Sequence, residues 1–195
     1  MKLYEPLPDS VIVGKRRIKV DLDFRNVLRM LEELSRSDLM PEAKDYRAAK
    51  CVCKRPKTGV TLAVCKLLFP HIGKASDATK ITDWAQDAGL IRAAFRQSYG
   101  IDLNTAKLHW VTFSELLNAI PEATRYSEVL SIRAREIPAP TKYNKAEREW
   151  LIKAKASVAL ELTNEQENNR YERNVKHLFD GLFMWATKGA GNANE

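Results

Sequence analysis

A line of apolar side chains with the spacing of a helix face runs through the middle of the chain. In the segment LNTAKLHWVTFSELLNAI, Ala106, Trp110, Phe113, Leu117 and Ile120 follow one another at alternating steps of four and three residues. Residues at this spacing share one side of an α-helix, because the helix turns once in about 3.6 residues. A face this apolar has to be covered by other parts of the protein. The pattern therefore predicts a helix that belongs to a packed helical core.

Two further segments show the same periodicity. One follows Asp23, a residue type that caps helices, and the other lies between Thr82 as a cap and Gly100 as a stop. Shorter helices are predicted from Pro41 onward and over residues 60–69. The apolar lines of the longer helices predict a core built from Phe24, Leu28, Leu31, Trp84, Ile91, Phe95, Trp110, Phe113 and Leu117.

The N-terminal stretch VIVGKRRIKVD alternates in a different way. Val11 and Val13, then Ile18 and Val20, occupy every second position on either side of a Gly14-Lys15 turn. This alternation is typical of a short β-hairpin, which has to pack on other elements because an isolated hairpin is marginally stable. The fold class predicted is mainly α: a compact helical bundle with an N-terminal β-hairpin and a C-terminal helical extension.

The composition changes after Pro138-Ala139-Pro140, where proline interrupts helix formation. We therefore expect a helical core domain over residues 1–137, a helical extension over 138–187 and a disordered tail over 188–195. The extension carries its own apolar stripe, which either docks on the core or binds a partner. The candidate partner-binding residues are Tyr171, Val175, Leu178, Phe179, Leu182, Phe183 and Trp185.

The charge of the chain is positive, with a net charge of +7 over 195 residues. Nine Lys/Arg against three Asp/Glu fall between Pro41 and Lys80, a stretch whose role the sequence leaves open. Positive charge favours anionic partners in general. Here it is scattered and interrupted by acidic runs such as Glu32-Glu33, so we do not expect nucleic acid as the partner. No apolar run approaches the ~20 residues of a membrane-spanning helix, and no membrane partner is expected.

The residues that could perform chemistry lack suitable neighbours. His109 flanks the apolar line, and its window supplies no nucleophile, orienting carboxylate or metal ligands. Cys51 and Cys53 are separated by a single residue, whereas zinc ligands are usually paired across two to four residues, even if Cys65 and His71 completed the set. We expect a structural His109, free thiols, no metal, no cofactor and no enzymatic activity.

Several stretches taken together resemble a known family. LPDSVIVGKRRIKVDLDFRNVLRMLEEL has a Leu-Pro turn, a hairpin around glycine and Asp-Phe-Arg at a helix start. DWAQDAGLIRAAFRQSYGIDLNTAKLHWVTFSELLNAIPEATRYSEVLSIRAREI contains Tyr-Gly-Ile-Asp-Leu, then His-Trp-x-x-Phe, then Ser-x-Arg. This order is similar to the bacteriophage gene-product-fifteen family, encoded beside the tape measure gene in long-tailed phages of Gram-positive bacteria. The resemblance covers roughly residues 1–137, with the basic middle stretch matching poorly.

The resemblance implies a role in tail assembly. That gene position is the one held by tail assembly chaperones, which coat the helical tape measure protein while tail tube protein polymerises around it. The expected partners are the tape measure protein, the tail tube protein and further copies of the chain. The expected location is the host cytoplasm during assembly, with the protein absent from the mature virion. Two alternatives stay open: a minor structural tail or connector protein retained in the virion, and a basic nucleic-acid-binding helical protein.

Overall fold

The computed structural model describes residues 4–70 and 81–161, which form a mainly α-helical fold with a short hairpin at its N-terminal end. Its first half holds the strands β1 (Ser10–Val13) and β2 (Arg16–Lys19) and the helices α1 (Phe24–Ser35), α2 (Pro41–Val52) and α3 (Val60–Leu68). Its second half holds α4 (Ala88–Tyr99), α5 (Trp110–Asn118), α6 (Arg125–Ala134) and α7 (Lys145–Ser157). The predicted fold class is confirmed.

The hairpin forms where the alternation placed it. β1 and β2 pair antiparallel, with Val11 opposite Ile18 and Val13 opposite Arg16. Gly14 has a φ of 62° at the turn, a conformation that a two-residue hairpin loop of this kind requires and that glycine adopts without steric cost. α3 packs against β1, so the hairpin is supported by a helix and does not stand alone.

Several helix boundaries follow the capping residues read from the sequence. Asp23 caps α1, and its carboxylate accepts the Arg25 backbone N–H at 3.0 Å. Pro41 opens α2, where its missing N–H would in any case have no partner within the helix. Gly100 ends α4 with a φ of 67°, and its N–H donates to the Arg96 carbonyl at 3.0 Å.

The prediction that residues before Trp110 belong to a helix was wrong. α5 begins at Trp110, and the strand-like segment before it pairs with the chain entering α1. The Trp110 N–H donates to the Leu22 carbonyl at 2.7 Å, and the Phe24 N–H donates to the Leu108 carbonyl at 2.9 Å. These backbone groups are bonded to a distant segment and not to one another in a helical pattern. The apolar spacing that includes Ala106 is therefore only partly helical.

α4 also starts later than predicted, at Ala88, and Thr82 does not cap it. The Asp83 carboxylate accepts the N–H groups of Ala85 and Gln86 at 2.9 and 3.0 Å, which closes a turn over residues 84–87. Asp side chains stabilise such turns by bonding to the backbone just after them. Trp84 consequently lies in a turn and not on the helix.

The core is centred on the ring of Phe113 in α5. Phe24 of α1 stacks on it with a centroid distance of 4.6 Å, and Phe95 of α4 stacks on it at 5.3 Å. Trp110 packs on the same cluster and is 5% exposed. Helix α1 thus meets the consecutive helices α4 and α5 at one aromatic stack.

Helix α7 packs against α6, with Leu151 2% exposed. The boundary expected at Ile137 lies inside the first of the two compact units into which the chain divides, and that unit ends at Val158. Of the second unit, only residues 159–161 are described. The stripe from Tyr171 to Trp185 lies outside the described residues, as does the expected tail. Across the ranges 4–70 and 81–161, no helix is both long and apolar enough to span a membrane.

Candidate interaction surface

An open groove runs between strand β1 and helix α3. Its volume is about 580 Å³, and one side is formed by the five consecutive residues 10–14. The other side is formed by Gly59, Leu62, Ala63, Lys66 and Leu67. Gly59 has a φ of 86°, and a Cβ atom at this position would lie 3.4 Å from Cγ1 of Val13. The chain turns into α3 here in a left-handed conformation that favours glycine, which places the helix beside the strand.

The groove exposes apolar side chains from both of its walls. Ile12 is 68% exposed on the strand side, and Leu62 and Leu67 are 58% and 41% exposed on the helix side. Scattered single apolar residues are normal on protein surfaces, whereas a grouped set along a concave surface is a candidate binding site. We refer to this feature as the β1–α3 groove.

Basic side chains lie in the β1–α3 groove, where Lys66 is part of the lining, and on the rest of the hairpin whose first strand forms one wall of the groove. Lys15, Arg16, Arg17 and Lys19 are exposed on the hairpin, and Lys66 is exposed on α3. In the two described ranges, none of these five cations forms an ion pair. The loop that leads to Gly59 adds further exposed positive charge, at Lys54, Arg55 and Lys57. The groove therefore exposes apolar side chains in a positively charged part of the surface, and we refer to these nearby basic residues as its positive rim.

The His109 side chain joins the start of α5 to the N-terminal turn at Pro8. Its Nδ1 accepts the Val111 backbone N–H at 3.1 Å and so caps α5. An Nδ1 that accepts carries no proton, which leaves Nε2 to donate to the Pro8 carbonyl 3.0 Å away. Both ring nitrogens are therefore committed to backbone groups. This supports the structural role that the sequence predicted for His109, although at a helix cap and not within a helix.

A more polar cleft of about 570 Å³ lies next to His109. Its lining includes Asp21, Asp23 and Arg25, and the last two form an ion pair with a distance of 2.9 Å between Nε and Oδ1. Burial raises the pKa of Asp23, but hydrogen bonds from the Arg25 side chain and backbone outweigh it and hold the pKa below its usual value. Arg25 also donates to the Ala106 carbonyl at 3.0 Å. The charged groups here tie the start of α1 to the segment before α5.

The cysteines show no features of a reactive or ligating set. Cys53 is buried, Cys51 and Cys65 are half-buried, and burial raises the pKa of all three thiols. A raised pKa leaves the thiol protonated at neutral pH, which makes it a poor nucleophile. Among the described residues no group of three or more His, Cys, Asp or Glu side chains is arranged to hold a metal ion, and His71 lies outside them.

The predicted core residues fall into three groups. Phe24, Ile91, Phe95, Trp110 and Phe113 are buried. Leu28, Leu31 and Leu117 are partly buried and pack against that core. Trp84 is 40% exposed, and its ring meets Trp110 edge-on with a centroid distance of 6.1 Å.

Sequence reasoning missed the β1–α3 groove, although a signal for it was present. Ile12 follows Val11 and precedes Val13, so the strand has an apolar residue on the face that should be polar. Likewise VTLAVCKLLF is apolar nearly all round, which exceeds what one buried helix face needs. The extra apolar residues of the strand and of the helix each indicated apolar surface that the core does not cover.

These features define a small, mainly α-helical protein with an open apolar groove bordered by basic residues. Residues 58–160, more than half of the chain, match the family described as Bacteriophage Gp15 protein. The chain therefore belongs to the Bacteriophage Gp15 protein family. The matched region starts just before α3 and includes α7, so it extends beyond the region of resemblance expected from the sequence and omits the hairpin. Neither the search of curated proteins nor that of solved structures gave a match.

Proposed function

We propose that this phage protein is a tail assembly chaperone that binds the tape measure protein while the tail tube forms. Family membership makes it a phage protein, and the family's gene position beside the tape measure gene favours a role in tail assembly. The observation that carries the proposal is the β1–α3 groove, where Ile12, Leu62 and Leu67 expose apolar surface to solvent. A chaperone needs such a surface, because it has to cover apolar parts of its client before assembly.

We propose that the protein acts by binding and not by catalysis. Among the residues that the structure describes, His109 uses both ring nitrogens on backbone groups and so helps to hold the fold. Asp87 and Arg133 bond to one another in the interior. A catalytic acid, base or nucleophile has to face a substrate with at least one free position.

Three further features belong to the same proposal. A chaperone that coats a long client binds it in many copies, so self-association along the client is expected. Its place of work is the host cytoplasm during assembly. Because the tail tube replaces the chaperone on the client, the protein is expected to be absent from the mature virion.

Co-expression tests the proposal directly. The full chain carrying an affinity tag is produced together with the tape measure protein encoded beside it, and the soluble fraction is purified through the tag. We expect the tape measure protein to be soluble and to co-purify, and to be insoluble when it is expressed alone. Failure of the wild-type chain to capture or solubilise the tape measure protein would contradict the proposal.

A matched pair of variants asks whether the groove is the contact. Leu62 in the groove and Tyr46 on α2 are both 58% exposed. Leu62→Glu should abolish co-purification, because a carboxylate has to be desolvated when the client covers it. Tyr46→Glu should leave co-purification intact.

Mass spectrometry of purified virions separates the chaperone from a structural tail protein. We expect no peptides of this chain at the abundance of tail components. Stoichiometric recovery from washed virions would assign the chain to the tail itself.

A further inference from the structure

We propose that the β1–α3 groove binds an extended, acidic segment of a partner protein as a third strand of the hairpin sheet. The segment would pair with the outer edge of β1, place alternate apolar side chains in the groove and direct carboxylates to the basic rim. The inference rests on the proposed function for the source of the segment, a client of tail assembly. The mode of binding rests on the geometry of the groove alone.

The hairpin register shows which backbone groups are available. The Val20 N–H donates to the Asp9 carbonyl at 2.8 Å, so Asp9 and Val20 are a hydrogen-bonded pair one step beyond Ser10 and Lys19. In an antiparallel ladder, bonded and non-bonded pairs alternate. The peptide groups of Ser10 and Ile12 therefore point away from β2. Within the described residues, no hydrogen bond from another segment reaches them.

The groove lies along this same edge. It is lined by residues 10–14 and by α3, and no residue of β2 contributes to it. A chain lying in the groove would thus meet the outward N–H and C=O groups of Ser10 and Ile12 on one side and Leu62 on the other. Unpaired strand edges readily accept a further strand, because each added residue satisfies backbone groups that otherwise only water can satisfy.

Charge specifies the partner. The hairpin residues Lys15, Arg16, Arg17 and Lys19 and the helix residue Lys66 are exposed without ion pairs in the described ranges. An acidic segment in the groove would meet Lys66 and, next to Gly14, Lys15 most directly, while Arg16, Arg17 and Lys19 on β2 add positive potential from the other side of β1. A second copy of this chain, paired through the same edge, would instead bring two positive hairpins together, which like-charge repulsion disfavours.

The same rim does not make the groove a nucleic-acid site. Bases are bound by stacking on exposed aromatic rings, whereas the side chains exposed in the groove are aliphatic: Ile12, Leu62 and Leu67. The open backbone edge also offers hydrogen bonds with the repeat of a peptide. The combination of aliphatic floor, strand edge and positive rim favours a protein segment.

The test uses the full-length protein and a short fluorescent peptide in which valine alternates with glutamate. Binding is followed by fluorescence anisotropy at low and high salt. Two comparison peptides separate the contributions of charge and of backbone hydrogen bonding. The first has lysine in place of glutamate, and the second has N-methyl groups on the amides that would face β1. We expect the glutamate peptide to bind, its affinity to fall with salt, and both comparison peptides to bind far more weakly.

Two proline variants isolate the strand edge. Ile12 and Arg17 are opposite one another, and both peptide N–H groups point out of the hairpin, Ile12 at the groove and Arg17 at the far edge. Proline at such positions removes an outward donor without breaking the ladder. Ile12→Pro should weaken binding of the glutamate peptide at least about tenfold, because the peptide loses a backbone hydrogen bond and is displaced from the edge. Arg17→Pro should weaken it less, because the peptide loses only part of its electrostatic attraction to the hairpin. If circular dichroism shows that Ile12→Pro unfolds, Leu62→Glu replaces it with the same expected loss, and Tyr46→Glu serves as its control.

The outcomes separate the two proposals. Equal binding of the N-methylated peptide, full affinity in the Ile12→Pro or Leu62→Glu protein, or no binding at all would overturn strand addition. A dimer that Ile12→Pro converts to a monomer, without peptide binding, would assign the edge to a second copy. Tighter binding of an oligonucleotide than of the glutamate peptide would also overturn strand addition by a protein segment. If the tape measure protein still co-purifies in any of these cases, the chaperone function stands and only the groove assignment fails.

Discussion

Arg133 and Asp87 form a two-pronged ion pair in the interior of the protein. Arg133 Nη1 lies 2.7 Å from Asp87 Oδ2, and Nη2 lies 2.9 Å from Oδ1. The side chains are 11% and 2% exposed. Arg133 also donates to the carbonyls of Ile81 and Val158 at 3.0 and 2.6 Å. One residue of α6 thus links the segment before α4 to the end of α7.

Asp87→Ala should destabilise the protein by about 3–5 kcal/mol, because it leaves the Arg133 guanidinium buried without its carboxylate. Urea unfolding followed by circular dichroism measures the change. The exposed pair formed by Arg36 and Asp38, 2.6 Å apart, provides the control. Asp38→Ala should leave the unfolding midpoint unchanged, since water solvates both groups of an exposed pair. Equal effects of the two substitutions would contradict a buried structural role for the pair.

His109→Ala should cost about 1–3 kcal/mol of unfolding free energy, since it removes the α5 cap and leaves the Pro8 carbonyl without its donor. His109→Asn should recover part of that loss, because asparagine is a good capping residue but is too short to reach Pro8. Thermal unfolding of the three proteins measures the order. Loss of tail assembly in a variant with an unchanged melting temperature would show that His109 has a role beyond structure.

Trp110→Ala should cost about 3–5 kcal/mol, the usual penalty for emptying a buried aromatic site. Its ring packs against Phe69 and Phe113 with centroid distances of 5.6 and 5.7 Å. Trp150 on α7 is 55% exposed and serves as the matched control. Trp150→Ala should change the melting temperature little, and a larger loss for Trp150 than for Trp110 would reverse the assignment of the core.

Asp23 should make stability depend on pH. Because its pKa is lower in the folded protein than in the unfolded chain, its contribution is present above the unfolded value of about 3.9 and is lost as the pH falls. Asp23→Asn keeps a helix cap and cannot titrate. The unfolding free energy of the variant should therefore decline less than that of the wild type as the pH falls from about 6 to about 3, through the pKa of the unfolded chain. Parallel declines would show that other carboxylates dominate.

Adjacent residues of α7 test whether this helix shares the core. Leu151 is 2% exposed, whereas Ile152 is 42% exposed. Leu151→Ala should cost about 2–5 kcal/mol, and Ile152→Ala should cost much less. Hydrogen exchange would show whether the amides of α6 lose protection together with those of α7. If both substitutions are neutral, α7 is an attachment that the rest of the fold does not need.

Local patterns in the sequence predicted much of the fold. The Val11, Val13, Ile18 alternation predicted the hairpin, Asp23 and Gly100 predicted a helix start and a helix end, and the spacing from Trp110 to Leu117 predicted α5. These signals are readable because each depends on residues within a few positions of one another. The spacing misled at Trp84, which lies in a turn before α4, and at Ala106, whose carbonyl accepts a hydrogen bond from Arg25 of a distant segment.

The sequence by itself determined the helical class, the hairpin, several caps and the family resemblance, since periodicity, capping preference and motif order are properties of neighbouring residues. Tertiary structure alone decided that residues 108–110 pair with the entry to α1, that Asp87 meets Arg133 across 46 positions, and that β1 and α3 leave a groove between them. Each of these depends on which distant segments are brought together. A buried charge or an open strand edge is defined by what surrounds it, and the linear order of residues does not contain that information in readable form.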